Sequence, residues 1–174
     1  MYRTLSQGDT FENFDPFQVQ EYNKKVKTLT VKVEIGIAKP VGKVFQAVLR
    51  PVPFFIKKAS GPIRERAKIV WEFAEMAEGF TIDVKKVEAD KLIRFEWPRG
   101  ESKEMNTVEF RFKPFSKTVT TVFVSESGWS DSKKWREASY RNCMGWTHMI
   151  CSLKAYLEYG VNLRKGAFVH MKFK

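Results

Sequence analysis

Residues 68–125 alternate between short apolar segments and turn signals, with no connection long enough to hold a helix. Within each segment the apolar side chains recur at every second position, which is the period of a half-buried strand. Closely spaced strands joined by turns favour antiparallel neighbours. The stretch therefore predicts an antiparallel meander with one apolar face, and its strands are residues 68–75, 80–87, 91–97, 107–112 and 118–125.

The preceding segment adds one more strand and two short helices. Residues 27–37 alternate with period two, and Lys39-Pro40 ends that strand. Pro40 can open a helix over residues 41–49, whose apolar residues have helical spacing. Residues 52–58 predict a second short helix, closed by a turn at residues 60–62. Further upstream, Asp15-Pro16 indicates a short helix within residues 1–24.

A long helix follows the strands, beginning at Ser130 or Asp131 and running to about Tyr159, with Gly160 as its C-terminal glycine. It is the only element large enough to cover the apolar face of the sheet. Helical spacing places one stripe toward the sheet, formed by Cys143, Trp146, Ile150, Leu153 and Leu157.

The opposite stripe of this helix is unusually apolar for a solvent face and contains Met144, His148, Cys151 and Ala155. Three parts of the protein could cover this stripe: the aromatic N-terminal segment around Phe14, the C-terminal tail, or a second subunit in a homodimer. His148 and Cys151 are spaced i and i+3, but zinc takes three or four protein ligands. A Cys-His catalytic pair would lack an orienting third group. We therefore expect structural roles for both side chains, no metal and no cofactor.

The length, composition and charge of the chain limit the kinds of function that it can have. A chain of 174 residues fits one domain, and its aromatic fraction of 14% suits a large core or a lined cavity. The net charge of +11 is spread over many segments, which favours a solvated basic surface over a nucleic-acid site.

Cys143 and Cys151 would lie roughly 12 Å apart along one helix, too far for a disulfide. With no signal-peptide pattern and no transmembrane segment, we expect a cytoplasmic protein.

Several motifs together resemble the START-like superfamily, also called SRPBCC. Within it, the chain is similar to the branch related to the activator of the ninety-kilodalton heat-shock-protein ATPase. The motifs are FFIKKASGPI (54–63), KIVWEF (68–73), KLIRFEW (91–97), TVEFRFKP (107–114), SESGW (125–129) and GWTHMICSLKAYLEYGVNLR (145–164). The similarity spans roughly residues 27–164, which leaves an N-terminal extension at 1–26 and a basic tail at 165–174.

This resemblance implies an α+β helix-grip fold, in which a curved antiparallel sheet wraps a long C-terminal helix and encloses a cavity. Members of the superfamily bind lipids, sterols, polyketides or other hydrophobic molecules, while some are cyclases or hydrolases and some are protein cofactors. The fold alone therefore does not determine the function.

Strand parity and the helical stripe select the residues expected to line such a cavity. Glu126 continues the inward parity of β-segment 118–125 and ends it at the cavity mouth, where a carboxylate could bind a ligand or act as a base. Tyr140 and Asn142 could add hydrogen bonds there, and Trp129 is a candidate gate. The remaining candidate ligand-binding residues are apolar or aromatic: Trp71, Phe73, Ile82, Phe95, Trp97, Phe110, Val122, Val124, Trp146 and Ile150.

The leading hypothesis is a binding protein for a hydrophobic small molecule or lipid. An enzyme that uses Glu126 with Tyr140 is the first alternative, although the sequence has no complete catalytic set. A protein-interaction module resembling a chaperone cofactor is the second, supported by the basic surface. A nucleic-acid partner is not expected.

Overall fold

The computed structural model describes residues 28–100 and 102–168. They form a curved, seven-stranded antiparallel sheet and two α-helices, which is an α+β architecture. The helix predicted at Asp15-Pro16 and the residues after 168 lie outside the described residues. In chain order the elements are β1 (Thr28–Ile37), α1 (Val41–Leu49), β2 (Lys58–Ala59), β3 (Lys68–Glu72), β4 (Phe80–Glu88), β5 (Leu92–Pro98), β6 (Met105–Pro114), β7 (Thr120–Ser130) and α2 (Lys133–Tyr159).

The meander predicted from the alternation is present as β3 to β7, β2 adds an unpredicted edge strand, and the sheet order is β1-β7-β6-β5-β4-β3-β2. Only β1 departs from sequence order, because it pairs with the last strand, from Thr28 opposite Ser130 to Ile37 opposite Thr120. The buried side chains of every second position form the core on one face of the sheet. This core includes Val108, Phe110, Val122 and Val124, each no more than 1% exposed.

The long helix α2 covers this apolar face and packs against β1 and β7. Its N-cap is Ser132 rather than the predicted Ser130 or Asp131, because β7 continues to Ser130. The Ser132 hydroxyl accepts a hydrogen bond from the Trp135 N–H at 3.4 Å. Gly160 ends it in the left-handed conformation with φ 69°, as the sequence predicts. Trp146, Ile150 and Leu153 of the predicted stripe are buried against the sheet.

The prediction of a second short helix over residues 52–58 is wrong. Residues 52–55 form a turn in which the backbone N–H groups of Phe54, Phe55 and Ile56 all point to the Pro51 carbonyl. The Lys57 N–H instead donates to the Glu72 carbonyl at 2.9 Å, and β2 then pairs with β3. Pairing at the sheet edge thus takes the residues that a helix would have needed.

Strand β7 contains a bulge at Gly128. On β1, Leu29 pairs with Trp129 and Thr30 pairs with Ser127, so Gly128 has no partner of its own. Its φ of +109° is a conformation that favours glycine. The extra residue shifts the side-chain parity, so that Glu126 and Trp129 are both buried although they are an odd number of residues apart.

Candidate functional site

A cavity of about 480 Å³ lies between the first half of α2, the start of β4, the end of β5, and the segment that follows α2. Its wall is mainly aromatic, and its rim includes the exposed side chains of Met76 and Met144. The lining residues are Phe55, Phe73, Glu75, Met76, Phe80, Trp97, Pro98, Gly100, Trp129, Lys134, Trp135, Ala138, Arg141, Asn142, Met144, Gly145, Trp146, Arg164 and Phe168.

Glu126 is fully buried next to this cavity, and four side chains donate hydrogen bonds to its carboxylate. Trp97 Nε1 and Asn106 Nδ2 donate to Oε1, both at 2.8 Å. Trp146 Nε1 donates to Oε2 at 2.8 Å, and Asn142 Nδ2 lies 3.1 and 3.0 Å from the two oxygens. Because an indole N–H can only donate, a carboxylate is well suited to bind both tryptophans. Glu126 therefore fixes three side chains of the cavity wall: Trp97, Asn142 and Trp146.

The two tryptophans that Glu126 binds also pack against each other. Their ring centroids are 5.0 Å apart with an interplanar angle of 37°, and Trp146 meets Phe110 edge to face at 5.6 Å. Such pairs stabilise a fixed geometry in addition to burying apolar area. The result is a broad aromatic surface whose orientation is held by both hydrogen bonds and packing.

A buried arginine supports this network from behind. Arg99 is 8% exposed, and its Nε donates to Asn106 Oδ1 at 3.0 Å, while Asn106 in turn donates to Glu126. The guanidinium also lies 5.3 Å from the Trp135 ring centroid and pairs with Glu104 at 2.5 Å. Arg99 thus links the Glu126 cluster to the aromatic wall formed by the start of α2.

The opposite wall is closed by residues that follow α2. Arg164 forms an ion pair with Glu75, and both side chains are only 12% exposed. Its guanidinium lies 5.0 Å over Phe55, 5.6 Å over Phe73 and 4.5 Å over Phe168. These contacts hold residues 161–168 against the cavity.

His148 lies behind that segment and contacts the Phe168 ring with centroids 5.0 Å apart. Its Nδ1 is buried and has no hydrogen-bond partner among the described residues. Burial lowers the pKa of His148, and the positive charge of Arg164 lowers it further, while Glu75 acts in the opposite direction. The C-terminal segment, one of the three covers that the sequence left open, thus covers the back stripe at His148.

The cysteines and other potential metal ligands form no cluster in residues 28–100 and 102–168. Cys143 and Cys151 are both free thiols. No three side chains of His, Cys, Asp or Glu come together there in a metal-binding arrangement. Among the described helices, neither combines the length and apolar character that a membrane span requires.

Of the residues selected from the sequence, five line the cavity: Phe73, Trp97, Trp129, Asn142 and Trp146. Glu126 lies beneath its surface. Tyr140 is 65% exposed and lies outside the lining. The remaining seven are buried in the core and do not line the cavity: Trp71, Ile82, Phe95, Phe110, Val122, Val124 and Ile150.

Sequence reasoning missed the part of the wall that the first turns of α2 supply. Lys134, Trp135, Ala138 and Arg141 precede Asn142 and Gly145 on one helical face. Extending the spacing of Trp146 back by whole turns would have found them. Arg164 and Phe168 carried no comparable signal, because their position depends on how the chain turns after Gly160.

Comparison with solved structures supports the fold. A protein from Staphylococcus saprophyticus, SSP2350, matches with a TM-score of 0.66 at 22% identity, over 78% of this chain and 96% of that one. The Aha1 dimer from Colwellia psychrerythraea matches with a TM-score of 0.66 at 20% identity, over 76% and 98%. DynU16, a putative protein in the dynemicin biosynthetic locus, matches with a TM-score of 0.64 at 25% identity, over 75% of this chain but 48% of its own length.

No curated protein shows significant similarity to the chain. A family model does: the one described as Activator of Hsp90 ATPase homolog 1-like protein matches residues 38–158. That range runs from the end of β1 nearly to the end of α2, and so includes Glu126 and the tryptophans it binds. The chain belongs to the family of Activator of Hsp90 ATPase homolog 1-like proteins.

Proposed function

We propose that the protein binds a hydrophobic small molecule, a class that includes lipids, in the aromatic cavity between α2 and the sheet. The observation that carries this proposal is the pair Trp97 and Trp146, which line the cavity and are fixed by Glu126. A volume of about 480 Å³ lies within the range of roughly 300–1,000 Å³ typical of small-molecule sites. A rigid aromatic wall lowers the entropic cost of binding a flat apolar ligand.

The arrangement of Glu126 favours binding over catalysis. A general base must reach the proton that it removes, within hydrogen-bond distance or through one water. Both oxygens of Glu126 already accept hydrogen bonds from side chains of the protein, and the residue is 0% exposed. Tyr140, its suggested catalytic partner, is largely exposed. We therefore assign Glu126 a positioning role.

Two further parts of this proposal concern organisation and location. Residues 27–164 would be the binding domain, with residues 1–26 and 165–174 as additions to it. The free thiols of Cys143 and Cys151 suit the reducing cytoplasm, where we propose that the protein acts. The similarity to DynU16, which is described as belonging to a biosynthetic locus, is compatible with a protein that handles a small molecule.

Family membership favours a second candidate, a module that contacts an Hsp90 chaperone. The net charge of +11 would assist association with an acidic partner surface. The ATPase rate of a purified Hsp90, measured with and without this protein, tests that role. An unchanged rate would count against it.

Gly145 allows a direct test of the cavity. It lines the cavity, and a Cβ built there meets no heavy atom within 4 Å. A side chain can therefore start from Gly145 without a clash at Cβ, so Gly145→Leu should extend into the cavity, and a leucine is favoured over glycine in a helix by about 1 kcal/mol. Gly145→Ala is the matched control because it adds only one methyl group.

The probe is N-phenyl-1-naphthylamine, a neutral aromatic dye whose fluorescence rises in apolar surroundings. We expect the wild type and Gly145→Ala to bind it, and Gly145→Leu to bind at least about tenfold more weakly, a loss of about 1.4 kcal/mol. Native mass spectrometry of freshly purified protein should also reveal any bound molecule. Equal binding by all three proteins, or no binding together with an empty wild type, would contradict the proposal.

A further inference from the structure

The cavity wall carries two cations on one face of α2. Lys134 and Arg141 both line the cavity, and both are exposed. They are seven residues apart, which is close to two helical turns, so they lie on the same face about 10 Å apart along the axis. Asn142 and Trp146 line the cavity from the same helix.

The other charges of the lining residues compensate each other. Glu75 is the only acidic residue among them, and it is paired with Arg164. Arg164 is also surrounded by the rings of Phe55, Phe73 and Phe168. Its charge is therefore already committed to contacts within the protein.

Lys134 and Arg141 are placed differently. Neither forms an ion pair within 4.0 Å in the part of the chain that the structure describes. Lys134 Nζ lies 4.9 Å over the Trp135 ring, a contact that leaves its hydrogen-bond donors available. Glu137 lies between the two cations on the helix but does not line the cavity. The lining residues thus carry an excess of two positive charges beside an apolar surface, while the Glu126 carboxylate beneath it is covered by Trp97 and Trp146.

We propose that the ligand is an amphipathic anion, whose apolar body packs on Trp97 and Trp146 and whose carboxylate, sulfonate or phosphate group binds Lys134 and Arg141. This inference rests on the binding function proposed above and specifies the chemical class of the ligand. Arg141 can bind such a group through two parallel hydrogen bonds, while Lys134 acts as a point charge. A neutral ligand of the same shape would use only the aromatic part of the site.

Two dyes that differ in one group test this inference. 8-Anilino-1-naphthalenesulfonate is N-phenyl-1-naphthylamine with an added sulfonate, so the ratio of their affinities isolates the contribution of the anion. We expect the wild type to bind the sulfonate at least about tenfold more tightly than the neutral dye, as expected for one or two favourable charge contacts. The preference should shrink at high ionic strength because the cations are exposed.

The test variant is Lys134→Gln/Arg141→Gln, and the control is Lys113→Gln/Lys117→Gln, which removes the same charge from exposed positions outside the cavity. In the test variant the affinity for the sulfonate should fall about tenfold, toward that of the neutral dye, whose own affinity should stay unchanged. The control should keep the wild-type preference.

Failure of this inference differs from failure of the binding function. Suppose that the neutral dye binds the wild type and that Gly145→Leu abolishes this binding. If the sulfonate then binds no more tightly than the neutral dye, or loses the same affinity in the test and control variants, anion recognition is refuted and the binding function stands. If neither dye binds the wild type, both proposals are refuted. Loss of both dyes in Lys134→Gln/Arg141→Gln would assign these side chains to the structure of the cavity and would also refute anion recognition.

Discussion

At the scale of single residues, the central feature is a buried carboxylate whose partners are all N–H donors. Removing one acceptor from such a cluster leaves a buried donor without a partner, which costs about 1–3 kcal/mol. In Glu126→Gln an amide NH₂ replaces one oxygen and meets the N–H of either Trp97 or Trp146. We therefore expect the free energy of unfolding to fall by that amount and the tryptophan fluorescence of the folded protein to change.

Urea denaturation of Glu126→Gln beside Glu96→Gln provides the comparison. Glu96 has a side chain that is 36% exposed, and it pairs with Lys85 at 3.1 Å. Its replacement should cost about 0–1 kcal/mol, as for other surface ion pairs. Equal stability losses in the two variants would show that the Glu126 cluster contributes no more to the free energy of unfolding than an exposed ion pair does.

At the scale of elements, the bulge in β7 decides which side chains face the cavity. A Cβ at Gly128 would lie 2.7 Å from Asn106 Oδ1, and the φ of +109° is unfavourable for any other residue. Gly128→Ala should therefore lower the free energy of unfolding by about 2–4 kcal/mol through backbone strain and overpacking. It should also perturb the Asn106–Glu126 hydrogen bond.

Gly36→Ala is the matched control for this change. Gly36 lies in β1, and a Cβ there meets no heavy atom within 4 Å. Thermal or urea denaturation should find it near wild-type stability. If Gly128→Ala proved as stable as Gly36→Ala, the bulge would tolerate a side chain and our view of its geometry would be wrong.

The stability of the protein should depend on pH through His148, which lies between α2 and the C-terminal segment. Burial and Arg164 lower the pKa of this histidine below its ordinary value of 6.5. As the pH falls past that value, the unfolded chain takes up the proton more readily than the folded one, so the free energy of unfolding decreases. In His148→Gln this contribution is absent, while the neighbouring Arg164 and Glu75 remain.

Urea midpoints at pH of about 7.5 and about 5.5 measure this difference, since the interval brackets the ordinary histidine pKa. The wild type should lose more stability than His148→Gln over the interval. His170, the other histidine of the sequence, is present in both proteins and cancels in the comparison. Equal losses would indicate that His148 has the same proton affinity in the folded and unfolded chains.

At the scale of the whole molecule, the net charge is +11, and some of the cations on the sheet form ion pairs with acidic residues. Lys85 on β4 lies 3.1 Å from Glu96 on β5, and Arg94 on β5 lies 2.5 Å from Glu109 on β6. Such pairs reduce the number of cations available to a polyanion.

We therefore expect duplex DNA to bind weakly at low salt and to dissociate at about 0.15–0.2 M salt, as in non-specific phosphate binding. Fluorescence anisotropy of a labelled duplex over a salt series measures this. Tight, sequence-dependent binding that persists at physiological salt would contradict the expectation.

Much of the architecture follows from patterns that are local in the sequence. Alternation with period two predicted six of the seven strands, with β7 ending five residues later than expected, and Gly160 predicted the end of α2. The helix predicted over residues 52–58 does not form, because Lys57 and Lys58 pair with β3 at the edge of the sheet instead. Such pairing depends on a partner strand that lies more than ten residues away in the sequence.

The candidate site, too, was predicted from the sequence only in part. Parity predicted that Val122, Val124 and Glu126 face inward, and they do. It did not predict that Trp129 would share their face, because the parity change depends on a bulge at Gly128. Nor could it distinguish aromatic residues that fill the core, such as Phe95, from those that line the cavity, such as Trp97.

The sequence by itself determined an antiparallel sheet covered by one capped helix, because strand alternation, helical spacing and capping are properties of neighbouring residues. Only the tertiary structure decided that Glu126 binds Trp97 and Trp146 and that Arg164 closes the far wall. The physical reason is that a cavity is the space left between elements. Its shape depends on where strands and helices from distant parts of the chain come together, and local patterns do not contain that information.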